Sequence, residues 1–232
     1  MRSDCDVTRK YLPTIPGVNH IRFNNTDDLQ FITEKTACVI LEPVQAEGGI
    51  IPPQNDYLQK VKKRCEETGT LMILDEIQTG FGRTGSLFAH QKYQVLPDIL
   101  LIAKAMGGGM PIGALVAQKE LMLTLAKNPP LGHITTFGGH PVCVAAALAT
   151  LEVLTSESII SEVEQKEKLL HTLLKHPLIK SVRSSGLMMS VQLVDASLLT
   201  PIIDKAIANG VLIDYFLFDN ESFRIAPPLI IT

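Results

Sequence analysis

The chain has 232 residues, 46% of them hydrophobic and 19% charged, and a net charge of −3. That length holds one large domain or a large and a small one, and without a basic block nucleic acid is not an expected partner. The longest apolar stretch, Val142 to Leu154, is interrupted by Thr150 and Glu152 and falls short of a membrane span, so a buried Ala-rich helix is expected there. The first residues, Met1-Arg-Ser-Asp-Cys-Asp6, lack the apolar core of a secretory signal. The four cysteines (Cys5, Cys38, Cys65, Cys143) are scattered, with no paired spacing, which argues for a reduced, cytoplasmic setting and against a metal site. Cys38 and Cys143 lie in apolar runs and read as small core residues.

In chain order, residues 1–36 read as irregular around Pro13, Pro16 and Gly17, with a short helix opening near Asp27-Asp28-Leu29. Three short apolar runs follow, each ending in a chargeable residue: Ala37 to Leu41 before Glu42, Leu71 to Leu74 before Asp75, and Ile99 to Ala103 before Lys104. Runs of this kind, bounded by Gly, Pro and charge, predict strands buried on both faces of a parallel sheet. Between the first two, Leu58, Val61 and Cys65 recur at helical spacing from Tyr57 to Glu67, and Gly69 supplies the stop. Strand–helix–strand demands a crossover and therefore parallel pairing. The link from Lys104 to Ile112-Gly-Ala-Leu-Val-Ala117 is too short for a crossover, so the next strand should run antiparallel. Beyond residue 155 the character changes. An amphipathic segment (157–175, with Ile160, Val163, Leu170 and Leu174 on one face) leads to strands near 179–182 and 187–193. A helix near 201–209 and strands near 211–218 and 222–225 complete an α+β unit, which puts a domain boundary near 155.

In open α/β sheets ligands sit beyond the carboxyl ends of the strands, so Glu42, Asp75 and Lys104 share a rim. A desolvated lysine with an acid nearby is how an enzyme readies an amine for a carbonyl. Asp75 could pair with a cationic ring nitrogen, and Gln78 could hydrogen-bond the same ligand. Thr135-Thr136-Phe-Gly-Gly139 offers hydroxyls and amides ahead of a helix, an arrangement suited to phosphate. Arg224 has the fork that grips a carboxylate, and Glu47 is its candidate partner. Each residue also has a plain structural reading as a strand-end charge, loop acid, helix-entry turn or edge-strand cation.

Four segments carry a family resemblance: Glu42-Pro-Val-Gln-Ala-Glu-Gly-Gly49, Leu74-Asp-Glu-Ile-Gln-Thr-Gly-Phe-Gly-Arg-Thr-Gly85, Leu100-Leu-Ile-Ala-Lys-Ala-Met-Gly-Gly-Gly-Met-Pro-Ile-Gly113 and Thr135-Thr-Phe-Gly-Gly-His-Pro141. In this order they resemble the class III pyridoxal-phosphate-dependent aminotransferases, in particular those acting on acetylornithine and ornithine, from about Pro16 to Ile231. The fold this implies is α/β of fold type I. Residues 1–154 would be the later part of the cofactor-binding large domain, and 155–232 most of a small carboxyl-terminal α+β domain.

The resemblance also implies roles. Lys104 would hold pyridoxal phosphate as a Schiff base and relay the proton between substrate and cofactor. Asp75 would pair with the pyridinium nitrogen and Gln78 with the phenolic oxygen. Thr136, with Thr135, would contact the phosphate of a neighbouring subunit, making the enzyme a homodimer with shared sites. Glu47 and Arg224 would form a gate admitting an ornithine-like ω-amine in one half-reaction and 2-oxoglutarate or glutamate in the other. Other class III reactions, an aminomutase or a decarboxylating transaminase, would use the same Lys104 and Asp75. A non-catalytic unit retaining the motifs, or a phosphate-ligand binding module, is the reading from another class. The sequence departs from the family at Ala46, Ile134 and His140. The resemblance further implies a chain cut at both ends, which would lack the family's early phosphate loop, ring-stacking aromatic residue and substrate-binding arginine, and its terminal helix. A sheet without its early strands should expose a long apolar edge.

Overall fold

The computed structural model describes residues 15–130 and 133–232, so Cys5 and Pro13 lie outside the described residues. After a 3-10 helix at Thr26–Phe31 come β1 (Cys38–Leu41), α1 (Tyr57–Thr68), β2 (Leu71–Asp75), the short α2 (Ala89–Lys92), β3 (Ile99–Ile102) and β4 (Ala114–Ala117). The four strands form one sheet in the order β1-β2-β3-β4. The first three are parallel and β4 is antiparallel to β3, as the connection lengths require. Leu58, Val61 and Cys65 of α1 are fully buried and join Met72 and Leu74 of β2 in the main core. The helix ends at Gly69, whose φ of 67° lets its amide reach back to Cys65 and Glu66.

The strands are covered more fully on one face than on the other. Met72, Leu74, Leu100 and Ile102 point into the core, while Cys38 and Ile40 on the other face of β1 are exposed. The expectation of strands buried on both faces, and of Cys38 as a core residue, is therefore corrected. The sequence pattern is that of a two-sided strand, but the described elements cover the second face less fully. The same holds after α3 (Lys119–Leu123) for α4 (Pro141–Ser156). Expected to be buried, α4 buries only Ala147 and Leu154, and Val142, Val144, Leu148, Leu151 and Val153 remain open to solvent. Among the described residues, β1 and β4, the outer strands, have a strand neighbour on one side each.

The second part of the chain runs α5 (Val163–Leu173), β5 (Ile179–Ser185), β6 (Met188–Leu193), α6 (Leu199–Ala208), β7 (Asp214–Tyr215) and β8 (Ser222–Ile225). Its strands form an antiparallel sheet in the order β5-β6-β8-β7. Val191, Leu193, Leu199, Ile203 and Phe223 make its core. The strand expected over 211–218 shrinks to Asp214–Tyr215. The amides of Leu217 and Phe218 bond to the side chain and carbonyl of Glu47 instead of extending the ladder. That contact, and an apolar cluster of Val44, Ala46 and Ile50 with Met188 and Phe216, seats the second sheet against the loop that follows β1. No described helix is long and apolar enough to cross a membrane.

Candidate active site

The carboxyl ends of β1, β2 and β3 open toward the second sheet across a cavity of roughly 1310 Å³. Lys104, Gln78, Glu47 and Arg224 all line it. Of the expected site residues, the structure thus brings four together. Asp75 closes the adjacent strand but does not line the cavity. Its Oδ1 accepts from the Ile77 amide at 3.0 Å, the only hydrogen bond of that side chain among the described residues, so its other oxygen keeps acceptor capacity. Thr135 and Thr136 line a different, smaller depression together with Ile112, Gly113 and His140.

Lys104 departs from its expected burial. It is exposed, because the sheet face and the apolar helix α4 around it are uncovered. Its backbone is nevertheless unusual: φ is 49°, in the left-handed region that a lysine seldom enters. The preceding Ala103 is extended, so the chain turns sharply where β3 ends. Strain of this kind persists only where surrounding structure enforces it, and it clusters at functional sites. Gly107 to Gly109 follow; at Gly108 (φ 54°) a Cβ would lie 2.2 Å from Thr150 Oγ1 of α4, so glycine is needed for the turn to pass.

Glu47 and Arg224 form the ion pair that their chemistry suggested. Arg224 NH1 donates to Glu47 Oε1 at 2.8 Å, and Gln78 Nε2 donates to the same oxygen at 3.1 Å. Burial pushes the Glu47 carboxyl up, but the hydrogen bonds from Gln78 and Leu217 N and the charge of Arg224 outweigh it and hold it below the usual range. The guanidinium also lies 5.7 Å from the centroid of the Phe216 ring. Its other nitrogen, NH2, donates to Asp214 Oδ2. Glu42, just after β1, is half-buried; desolvation pushes its carboxyl up, the Ala46 amide opposes this and the charge of Asp75 adds to it.

Three contributors escaped the sequence reading. Glu76 is fully buried and accepts from Thr79 Oγ1 and from the amides of Ala89 and His90, at 2.6–3.0 Å. It organises the loop between β2 and α2 through these bonds. Arg83, within the glycine-rich run, lines the cavity and donates to the carbonyls of Leu187 and Pro227. Burial lowers its pKa. Asp214 was hidden in an apolar strand pattern, where a lone acid is a signal that could have been followed.

A family model described as "Aminotransferase class-III" matches residues 16–232. Among solved structures, the chain is similar to the ornithine aminotransferase from Toxoplasma gondii, at 32% identity and a TM-score of 0.90, over 99% of this chain and 55% of that one. It is also similar to the acetylornithine aminotransferase from Elizabethkingia anophelis (32% identity, TM-score 0.85, 100% of this chain, 59% of the other). A third similar structure is the N-acetylornithine aminotransferase from Stenotrophomonas maltophilia (33%, TM-score 0.80, 94% and 58%). The chain therefore spans under three fifths of the length of these relatives.

Proposed function

The chain belongs to the class III aminotransferase family, and on that premise we propose that the protein moves an amino group from an ornithine-like ω-amine, ornithine or an N-acyl-ornithine, to 2-oxoglutarate. The observation that carries this reading is the Glu47–Arg224 ion pair in the same cavity as Lys104. An ω-amine donor presents a methylene where glutamate presents its α-carboxylate. One cation must therefore be masked in one half-reaction and available in the other. A carboxylate that pairs with the arginine, and has other donors to return to, provides that.

Pyridoxal phosphate is the cofactor, and the residues present suit it: an amine on a strained turn, a strand-end carboxylate with a spare oxygen, and a cavity of sufficient size. When bound, it supplies an electron-withdrawing ring that stabilises negative charge on the substrate carbon. Lys104 Nζ would hold the cofactor through its aldehyde carbon and, once the donor amine has replaced it there, would carry the proton from the donor carbon to that cofactor carbon. The free oxygen of Asp75 keeps the ring nitrogen protonated. Gln78 has two N–H donors; one serves Glu47 and the second is available to the phenolic oxygen. Thr135 and Thr136, in their separate depression, contact the cofactor phosphate of a second copy in a homodimer with shared sites. Residues 1–154 act as the later part of the cofactor-binding domain and 155–232 as the small domain. The three described cysteines are free, in keeping with a cytoplasmic setting.

The test is to follow both half-reactions separately in wild type and Glu47→Gln. The expected result is that wild type consumes ornithine or an N-acyl-ornithine at the ω-amine. The variant should shift by roughly tenfold toward α-amine use, about 1.4 kcal/mol, within the worth of one hydrogen bond to a charged group. Unchanged rates in both half-reactions would sink the gate.

A further inference from the structure

Arg224 is held by two carboxylates, and they differ in how they are held. Asp214 lies directly across from Arg224 in the antiparallel β7–β8 register. Its Oδ2 accepts from Arg224 NH2, and its Oδ1 accepts from the Tyr215 amide at 2.8 Å. Glu47 is on a loop and has alternative donors, Gln78 Nε2 and Leu217 N, at 3.1 and 3.2 Å. Glu47 can therefore leave the guanidinium without stranding its charge. Asp214 is fixed to it by strand pairing and stays.

We propose that Asp214 is a specificity-determining residue that selects an ω-amine donor with a free, cationic α-ammonium over the same donor acylated at the α-nitrogen. The inference rests on reading the Lys104 cavity as the amino-donor site. At the Arg224 guanidinium two acids face one cation, a local excess of negative charge in a cavity that Lys104 and Arg83 also line. The Asp214 side chain is 62% exposed, so its carboxylate is open to a ligand beyond its two internal bonds. Arg224 holds its carboxyl below the usual carboxylate range, with the Tyr215 amide assisting against the small cost of burial. An unacylated α-ammonium brings a positive charge and three donors to this acid. Acylation removes the charge and leaves one N–H. The permanent acid also weakens Arg224 as a receptor for anions, so release of Glu47 becomes the condition for binding a carboxylate.

The experiment compares kcat/KM for ornithine and Nα-acetylornithine in the cofactor-loaded protein for wild type, Asp214→Asn and Asp214→Glu. Wild type should favour ornithine. Asn should reduce the preference about fivefold, the scale of an exposed charge pair, and Glu should restore it. A ratio unchanged in Asn, or a wild type that favours the acetylated donor, overturns the inference. In parallel, the cofactor-free protein is titrated calorimetrically with norvaline and Nα-acetylnorvaline, which lack the ω-amine. Tighter binding of norvaline, lost in Asp214→Asn, supports the inference even if neither donor is turned over, in which case it is the transaminase reading that fails. Equal binding of the two by wild type overturns the inference and leaves the transaminase reading standing.

Discussion

At the scale of single residues, the site is defined by what each charge has for company. Lys104 is placed by a turn it would not choose alone, and Arg224 by two acids and an aromatic ring. The identities of Lys104, Asp75, Gln78, Glu47 and Arg224 as candidates were legible in sequence because each ends a strand, sits in a glycine-punctuated loop or interrupts an apolar run. The work of Glu76 and Arg83 was not, since it depends on backbone groups from distant segments. A residue outside the cavity gives a clean electrostatic test. Asp28 accepts from the amide, Nε and NH2 of Arg22 at 2.7–3.0 Å, and these bonds hold its carboxyl down at about 2. A depressed carboxyl stabilises the fold above its unfolded value, about 3.9, and loses that contribution as pH falls through the folded value. Asp28→Asn should therefore melt below wild type at neutral pH, with the gap closing between about pH 4 and pH 2. A gap constant with pH would show that the ion pair is not its source.

At the scale of elements, connection lengths were the most informative feature. The helical stripe of α1, its glycine stop and the parallel β1–β2 pair follow from Leu58, Val61, Cys65 and Gly69. The short link after Lys104 led correctly to an antiparallel β4. Burial was less legible. Alternation within β2 and β3 is masked by apolar residues on both faces, so the sequence could not reveal that Met72 and Leu74 face the core while Leu71 and Ile73 do not. The strand expected over 211–218 failed because Glu47, distant in sequence, takes the amides of Leu217 and Phe218. This asymmetry has measurable consequences. Leu74→Ala removes a fully buried side chain and should cost about 2–5 kcal/mol, read as a lower denaturation midpoint. Leu148→Gln, on the open face of α4, should change the midpoint by less than about 0.5 kcal/mol. Equal losses would mean that α4 is covered in solution.

At the scale of the molecule, two sheets meet across one cavity, joined by the loop that carries Glu47 and by the carbonyls that Arg83 grips. The α/β class could be anticipated from the strand–helix–strand pattern and the connection lengths. The family could be anticipated from the four motifs, and the match over residues 16–232 bears that out. The uncovered face of β1–β4 and α4 could not, because an apolar run does not say which neighbours will cover it. In the proposed reaction Lys104 is the amine that engages the cofactor. The direct measurement is to incubate the purified chain with pyridoxal phosphate, reduce with borohydride and map the modified peptides. The expected result is a single modified lysine, Lys104, and none in Lys104→Ala. Absent labelling, or labelling spread over many lysines, would rule out Lys104 as that amine.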